Sequence, residues 1–129
     1  MPDATSPTTA PGDIATIQAV IQTYFDSMYH SDPALVEQAF HEKAAIAGHL
    51  DGRALWLSRA DFAGFVGNTP APAKTGEVYD MKIVSLSVNG DTAVAVVRDL
   101  YLGKRFTDTL SLLRLDGRWA IANKVFTHA

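Results

Sequence analysis

Two acidic residues are spaced so that they can act together. Asp99 and Asp108 lie in long runs of alternating apolar and polar residues, on either side of the dipeptide Gly103-Lys104. If that dipeptide is a two-residue hairpin turn, Tyr101 pairs with Phe106, Asp99 with Asp108 and Val97 with Leu110. Carboxyls held close share a proton, because ionising both costs more than ionising one. One can then stay protonated while its partner is ionised, and Tyr101 or Asn123 can donate a hydrogen bond to a developing oxyanion. Asp99 and Asp108 are therefore the candidate catalytic residues. A bulge in either strand would carry one of them to the opposite face.

The other reactive side chains say less. There is no cysteine, which excludes a thiol nucleophile, a disulfide scaffold and a cysteine zinc site. His30 and His41 fall at expected helix C-termini, where a cation complements the helix dipole, so surface roles suit them. His49 precedes Asp51-Gly52 on a short strand, within reach of a cavity mouth. No histidine pair has metal-motif spacing, so no metal is expected. No P-loop, nucleophile elbow or dinucleotide fingerprint is present, and no cofactor is expected.

These residues must be positioned by a single domain. The chain has 129 residues, 47% of them apolar, with 11 Lys+Arg against 14 Asp+Glu and a net charge of −3. That balance, with no basic run, argues against nucleic-acid binding. No apolar stretch has the length of a membrane span. Residues 1–12 hold three prolines and four Ser/Thr residues, which predicts a disordered leader ahead of a domain over 13–129. The leader has no features of a secretory signal, so the expected location is cytoplasmic.

Three helices are expected. Ile14, Ile17, Ile21, Tyr24, Phe25 and Met28 share one stripe at helical spacing, after a Gly12-Asp13 start. Asp32 as cap and Pro33 at the first helical position begin a short second helix carrying Leu35, Val36, Ala39 and Phe40. Ser58 with Asp61 forms a near capping box for a third, bearing Phe62, Phe65 and Val66. The rest is β. Ala44–Leu50 and Arg53–Leu57 flank Asp51-Gly52. Four runs, Val78–Val88, Asp91–Leu102, Arg105–Leu115 and Arg118–His128, are joined by Asn89-Gly90, Gly103-Lys104 and Asp116-Gly117, a predicted antiparallel meander.

The turn registers put Val84, Leu86, Ala93, Ala95, Val97, Leu110, Leu112, Trp119 and Ile121 on one face, which should receive the helices. Asp80, Asp99, Tyr101, Phe106, Asp108 and Asn123 gather toward one end of it. Arg98, Thr109, Lys124, Val94, Val96 and Phe126 fall on the other face, suited to solvent or a partner subunit. An apolar face ending in polar groups is what a small-molecule pocket needs. Its walls are expected from Tyr24, Met28, His49, Trp56, Phe62, Phe65, Tyr101 and Phe106, with Asn123 as an anchor beside the aspartates.

The order of elements, with His49-Leu50-Asp51-Gly52, Tyr79-Asp80-Met81, Val97 to Gly103, Phe106-Thr107-Asp108 and Asp116 to Phe126, resembles the nuclear transport factor 2-like superfamily. Its lumazine-binding (SnoaL-like) branch is the best match, over about Ile14 to His128. The resemblance implies an α+β, cystatin-like cone: a curved antiparallel sheet of a four-stranded meander plus a short hairpin, packed on three helices. It also implies a pocket inside the cone and a homodimer formed through the sheet. The scaffold serves isomerases, cyclases, dehydratases and plain binding proteins, so fold does not choose among them. The leading expectation is a domain holding a small apolar or aromatic ligand. The alternatives are a cofactor-free isomerase, cyclase or dehydratase with an aspartate base, and a non-catalytic dimeric module.

Overall fold

Residues 12–129 are described by the computed structural model, so the expected leader lies outside the described residues except for Gly12. Helix α1 (Asp13–Tyr29) buries Ile17, Ile21, Tyr24, Phe25 and Met28 along one stripe. Ile14 departs from that stripe and is 53% exposed. Asp13 turns inward at that end instead, receiving Arg114 at 2.9 Å and the Trp119 indole N–H at 3.1 Å. That contact ties the start of α1 to the far end of the sheet.

Helix α2 (Pro33–Ala39) starts as its sequence predicts, with the Asp32 carboxylate accepting from the Ala34 N–H at 3.0 Å. Phe40 does not continue it. Phe40 opens strand β1 (Phe40–Leu50), so His41 sits on a strand and not at a helix C-terminus. Asp51-Gly52 turns the chain into β2 (Arg53–Ser58). Ser58 then caps α3 (Arg59–Gly67) in a full capping box, its two bonds with Asp61 both 3.1 Å. A single helical turn, α4 (Pro72–Thr75), leads to the meander β3 (Met81–Asn89), β4 (Thr92–Tyr101), β5 (Lys104–Leu115) and β6 (Arg118–His128).

The strands form one curved, unclosed sheet in the order β2-β1-β6-β5-β4-β3, with α1, α2 and α3 packed on it. This is the expected α+β cone. Hairpin and meander are joined by a parallel pairing of β1 with β6, which makes the sheet mixed. Turn chemistry cannot foretell that junction, because no turn connects the two strands. Gly48 permits it. A Cβ there would collide with the Phe126 carbonyl and ring across the parallel pair.

Three details of register differ from expectation. The β4–β5 turn is Leu102-Gly103, both at positive φ, and not Gly103-Lys104. Glycine thus takes the second turn position, as it does in Asp51-Gly52 and Asp116-Gly117. The Glu77 carboxylate fixes the choice by accepting from the Leu102 and Gly103 N–H groups at 3.0 and 2.8 Å. Asp99 therefore faces Phe106, and Asp108 faces Val97. The slip is two residues, so both aspartates keep the helix-covered face and lie diagonally.

The β3–β4 register slips likewise, setting Leu86 opposite Ala95. A bulge at Val84 leaves that residue 49% exposed, off the core face where an unbroken register put it. Asp80 leaves the inner face too. Met81 faces Asp99, and Asp80 pairs at the surface with Arg105 at 2.8 Å.

Between β5 and β6 the first pairs are as predicted, Arg114 with Trp119 and Leu112 with Ile121. Ala122 is then an extra residue, and beyond it Ser111 faces Asn123, Leu110 faces Lys124 and Asp108 faces Phe126. Every later side chain of β6 changes face. Lys124 and Phe126 become 5% and 8% exposed on the inner side, and Val125 moves outward at 49%.

Candidate functional site

A cavity of about 110 Å³ lies between the sheet and helices α1 and α3, toward the Leu102-Gly103 turn. Met28 of α1 and Phe62 and Phe65 of α3 form its helical wall. Ile46 and Leu50 of β1 and Leu55 and Leu57 of β2 form the opposite side. Leu102, Lys104, Phe106 and Phe126 complete the lining, and the polar groups reaching it from the inner sheet are Asp99, Tyr101 and Lys124.

Alternation along β4 positions Asp99 and Tyr101, which share the inner face with Val97 and Ala95. Asp99 is buried, and behind it lies Asp108 with no exposed surface at all. The Tyr24 hydroxyl donates to Asp108 Oδ2 at 2.7 Å. Burial, followed by a hydrogen bond and charge from Asp108, pushes Asp99 up to about 10, against a lowering by the Lys124 charge. At neutral pH Asp99 thus holds a proton that it can donate to Asp108. Burial and the Asp108 charge likewise hold the Tyr24 hydroxyl well above its ordinary range. Burial lifts Tyr101 to about 12, despite the nearby Thr69.

Three atoms in this group are buried without a hydrogen-bond partner: Asp99 Oδ1, Asp108 Oδ1 and the Tyr101 hydroxyl. Each orphaned polar atom costs about 1–3 kcal/mol. Lys124 adds a cation. Its Nζ stands 4.4 Å from the ring centre of Phe62, 4.8 Å from Tyr24 and 5.2 Å from Phe126. The arrangement offers a bound molecule a proton donor in Asp99, a phenol in Tyr101 and an ammonium in Lys124. Among the described residues, no cluster of three or more His, Cys, Asp or Glu is placed to hold a metal ion.

Of the residues singled out from the sequence, Asp99, Met28, Phe62, Phe65, Tyr101 and Phe106 line the cavity. Asp108 and Tyr24 form the layer behind it. Three do not belong to the wall. Trp56 points outward at 80% exposure, because strand alternation turns Leu55 and Leu57 inward. His49 is exposed on β1, between inward Gly48 and Leu50. Asn123 is carried off the inner face by the Ala122 bulge, and its amide reaches only the Ala45 carbonyl at 3.5 Å. Lys124 takes its place, although an unbroken register sets it outside. The sequence leaves the phase of β6 open, because Val125 continues the alternation of Trp119 and Ile121 while the adjacent Phe126 offers the other phase.

The structure is similar to an NTF-2 like protein of unknown function from Silicibacter pomeroyi DSS-3. That likeness has 34% identity, covers 95% of this chain and all of the other, and has a TM-score of 0.86. An NTF2-like protein of unknown function from Methylobacillus flagellatus KT is 25% identical, over 96% of this chain and 98% of its own, with a TM-score of 0.84. Among curated proteins, "Aldolase FrzH" of Cladobotryum sp is 25% identical over 114 residues, 84% of this chain and 87% of that protein. No described helix is long and apolar enough to cross a membrane. Residues 12–127 match the family model described as "Putative lumazine-binding". The chain thus belongs to this lumazine-binding family of the NTF2-like superfamily.

Proposed function

We propose that the cone binds a small, largely apolar molecule of about one ring, carrying a carbonyl that seats against Asp99, Tyr101 and Lys124. The observation that carries this is the buried, unpartnered pair of atoms, Asp99 Oδ1 and the Tyr101 hydroxyl, on side chains lining an otherwise apolar cavity. Orphaned polar atoms beside apolar walls are a poor core and a suitable binding site. A volume of about 110 Å³ lies below the volume of about 150 Å³ that accepts benzene, which limits the occupant to a single small ring at most. We further propose that the outer sheet face, where Val84, Val94 and Val125 are each about half exposed, joins two copies of the chain.

One observation favours catalysis as a second reading. Asp99 keeps its proton at neutral pH beside Asp108, so it is suited to general acid work at a carbonyl oxygen. Protonating that oxygen acidifies the adjacent C–H bonds and promotes enolisation. Carbonyl chemistry is also what the name of the curated relative implies for that protein. Here Asp99 is the acid, where the sequence suggested an aspartate base.

Cyclohexanone in D₂O, followed by NMR, tests both readings in one sample. Binding predicts shifts at the amides of Asp99, Tyr101 and Lys124 that Asp99→Ala weakens. Catalysis predicts deuterium at the ketone's α-carbons faster than in buffer, and loss of that excess in Asp99→Asn. No shift at the cavity amides removes the binding reading. Shifts with exchange at the buffer rate leave binding and remove catalysis.

A further inference from the structure

Lys124 makes no hydrogen bond or ion pair with Asp99 or Asp108, although its charge acts on Asp99, and its surroundings are unusual for a lysine. The side chain is 5% exposed, yet the ammonium has no hydrogen bond to any described residue and no ion pair with one. Three aromatic rings surround it at 4.4 to 5.2 Å. Rings stabilise a cation but accept no proton. The other lysines differ: Lys43, Lys74 and Lys82 are exposed, and Lys104 stands 3.9 Å from Asp51. Lys124 also lines the same cavity as Asp99 and Tyr101. A lysine kept only for charge would be expected to close onto one of the two buried carboxyls. This one is held out of water at a cavity wall, with no acceptor among the described residues holding its protons, so its nitrogen faces whatever carbonyl the cavity takes.

We propose that Lys124 forms an imine with an aldehyde or ketone bound in the cone. This rests on the reading of the cone as a pocket for carbonyl compounds and assigns it a covalent step. The ammonium first gives one proton to the carboxyl pair. The nitrogen lone pair then attacks the carbonyl carbon, and the C–O π electrons move to oxygen, which takes a proton from Asp99 or Tyr101. The nitrogen loses its remaining extra proton, giving a neutral carbinolamine. A second protonation of that oxygen releases water as the C–N double bond forms, and the iminium nitrogen then gives its proton back to the carboxyl pair. The sum is amine plus carbonyl giving imine plus water, with no oxidant or reductant.

Acetylacetone tests this on the full chain. A nucleophilic amine condenses with one of its carbonyls, losing water, and the product tautomerises to an enaminone that absorbs in the near ultraviolet and survives digestion. The expected adduct has the mass of the diketone less one water and maps to Lys124. It should form roughly tenfold faster there than at Lys43, Lys74 or Lys82. Lys124→Met keeps an apolar stem beneath the rings and should lose the absorption, as should Lys124→Arg. Labelling spread evenly over the lysines, or none at Lys124, overturns the proposal, and the mapping on unsubstituted protein does not depend on either variant folding. Amide shifts at Asp99 and Tyr101 without an adduct overturn the imine alone. Neither shifts nor adduct overturns the carbonyl pocket as well.

Discussion

Replacing Asp99 by asparagine isolates the proton that the inner face holds. In the unfolded chain this carboxyl ionises near 4, as aspartates ordinarily do. In the folded chain burial and Asp108 hold it near 10. Between those values the folded state carries one more proton than the unfolded state. The contribution of Asp99 to stability is therefore greatest at low pH and falls as pH rises, by about 1.4 kcal/mol per unit, until the folded carboxyl itself ionises. From about pH 6 to about pH 8 the loss comes to about 3 kcal/mol. Asparagine has the shape of the protonated acid and cannot ionise, so Asp99→Asn should lack this loss. The assay is urea unfolding of both proteins at several pH values, compared as a difference. The four histidines remain in both proteins and cancel to first order. The expected difference curve slopes by about 1.4 kcal/mol per unit in favour of the variant as pH rises. Parallel stability curves for the two proteins would refute the protonated Asp99.

Two further outcomes follow from the same structure. Tyr24→Phe removes the buried donor at 2.7 Å from Asp108 Oδ2, costing about 2 kcal/mol. The urea midpoint should fall with the slope unchanged, and a midpoint equal to the parent protein's would show the bond to be dispensable. Sedimentation equilibrium at micromolar concentration should give a dimer. Val94→Lys, at a position 48% exposed on the outer face, should give a monomer, because a two-fold interface repeats the charge on both sides. A monomeric parent protein would remove the sheet-to-sheet contact.

Local chemistry carried most of the fold. The Asp32 and Ser58 caps, the α1 stripe from Ile17 to Met28 and the Asp116-Gly117 turn all work through neighbours a few residues away, and all are readable in order along the chain. What was not readable depends on residues far apart. Glu77 selects Leu102-Gly103 as a turn by reaching across from another segment. The parallel seat of β1 on β6 needs Gly48 beside Phe126. For the site the contrast is sharper. Asp99 and Asp108 stayed on one face because the turn error was an even number of residues, whereas the single extra residue Ala122 exchanged Asn123 for Lys124. Trp56 was misplaced for a simpler reason. On a short edge strand, aromatic size suggested burial, while Leu55 and Leu57 took the inward phase.

The Ala122 bulge also bears on how such cones diversify. A bulge acts on a strand as a change of reading phase: everything after it presents the alternate set of side chains to the interior. In this chain the phase change replaces a neutral amide with a cation and brings an aromatic ring inward beside it. Shortening β6 by that one residue would reverse both changes at once, without altering any other residue. The chemistry inside a cone of this kind can therefore change through strand length as well as side-chain identity. Two relatives with the same Asn-Lys-Val-Phe run, one bulged and one not, would line their pockets with different groups.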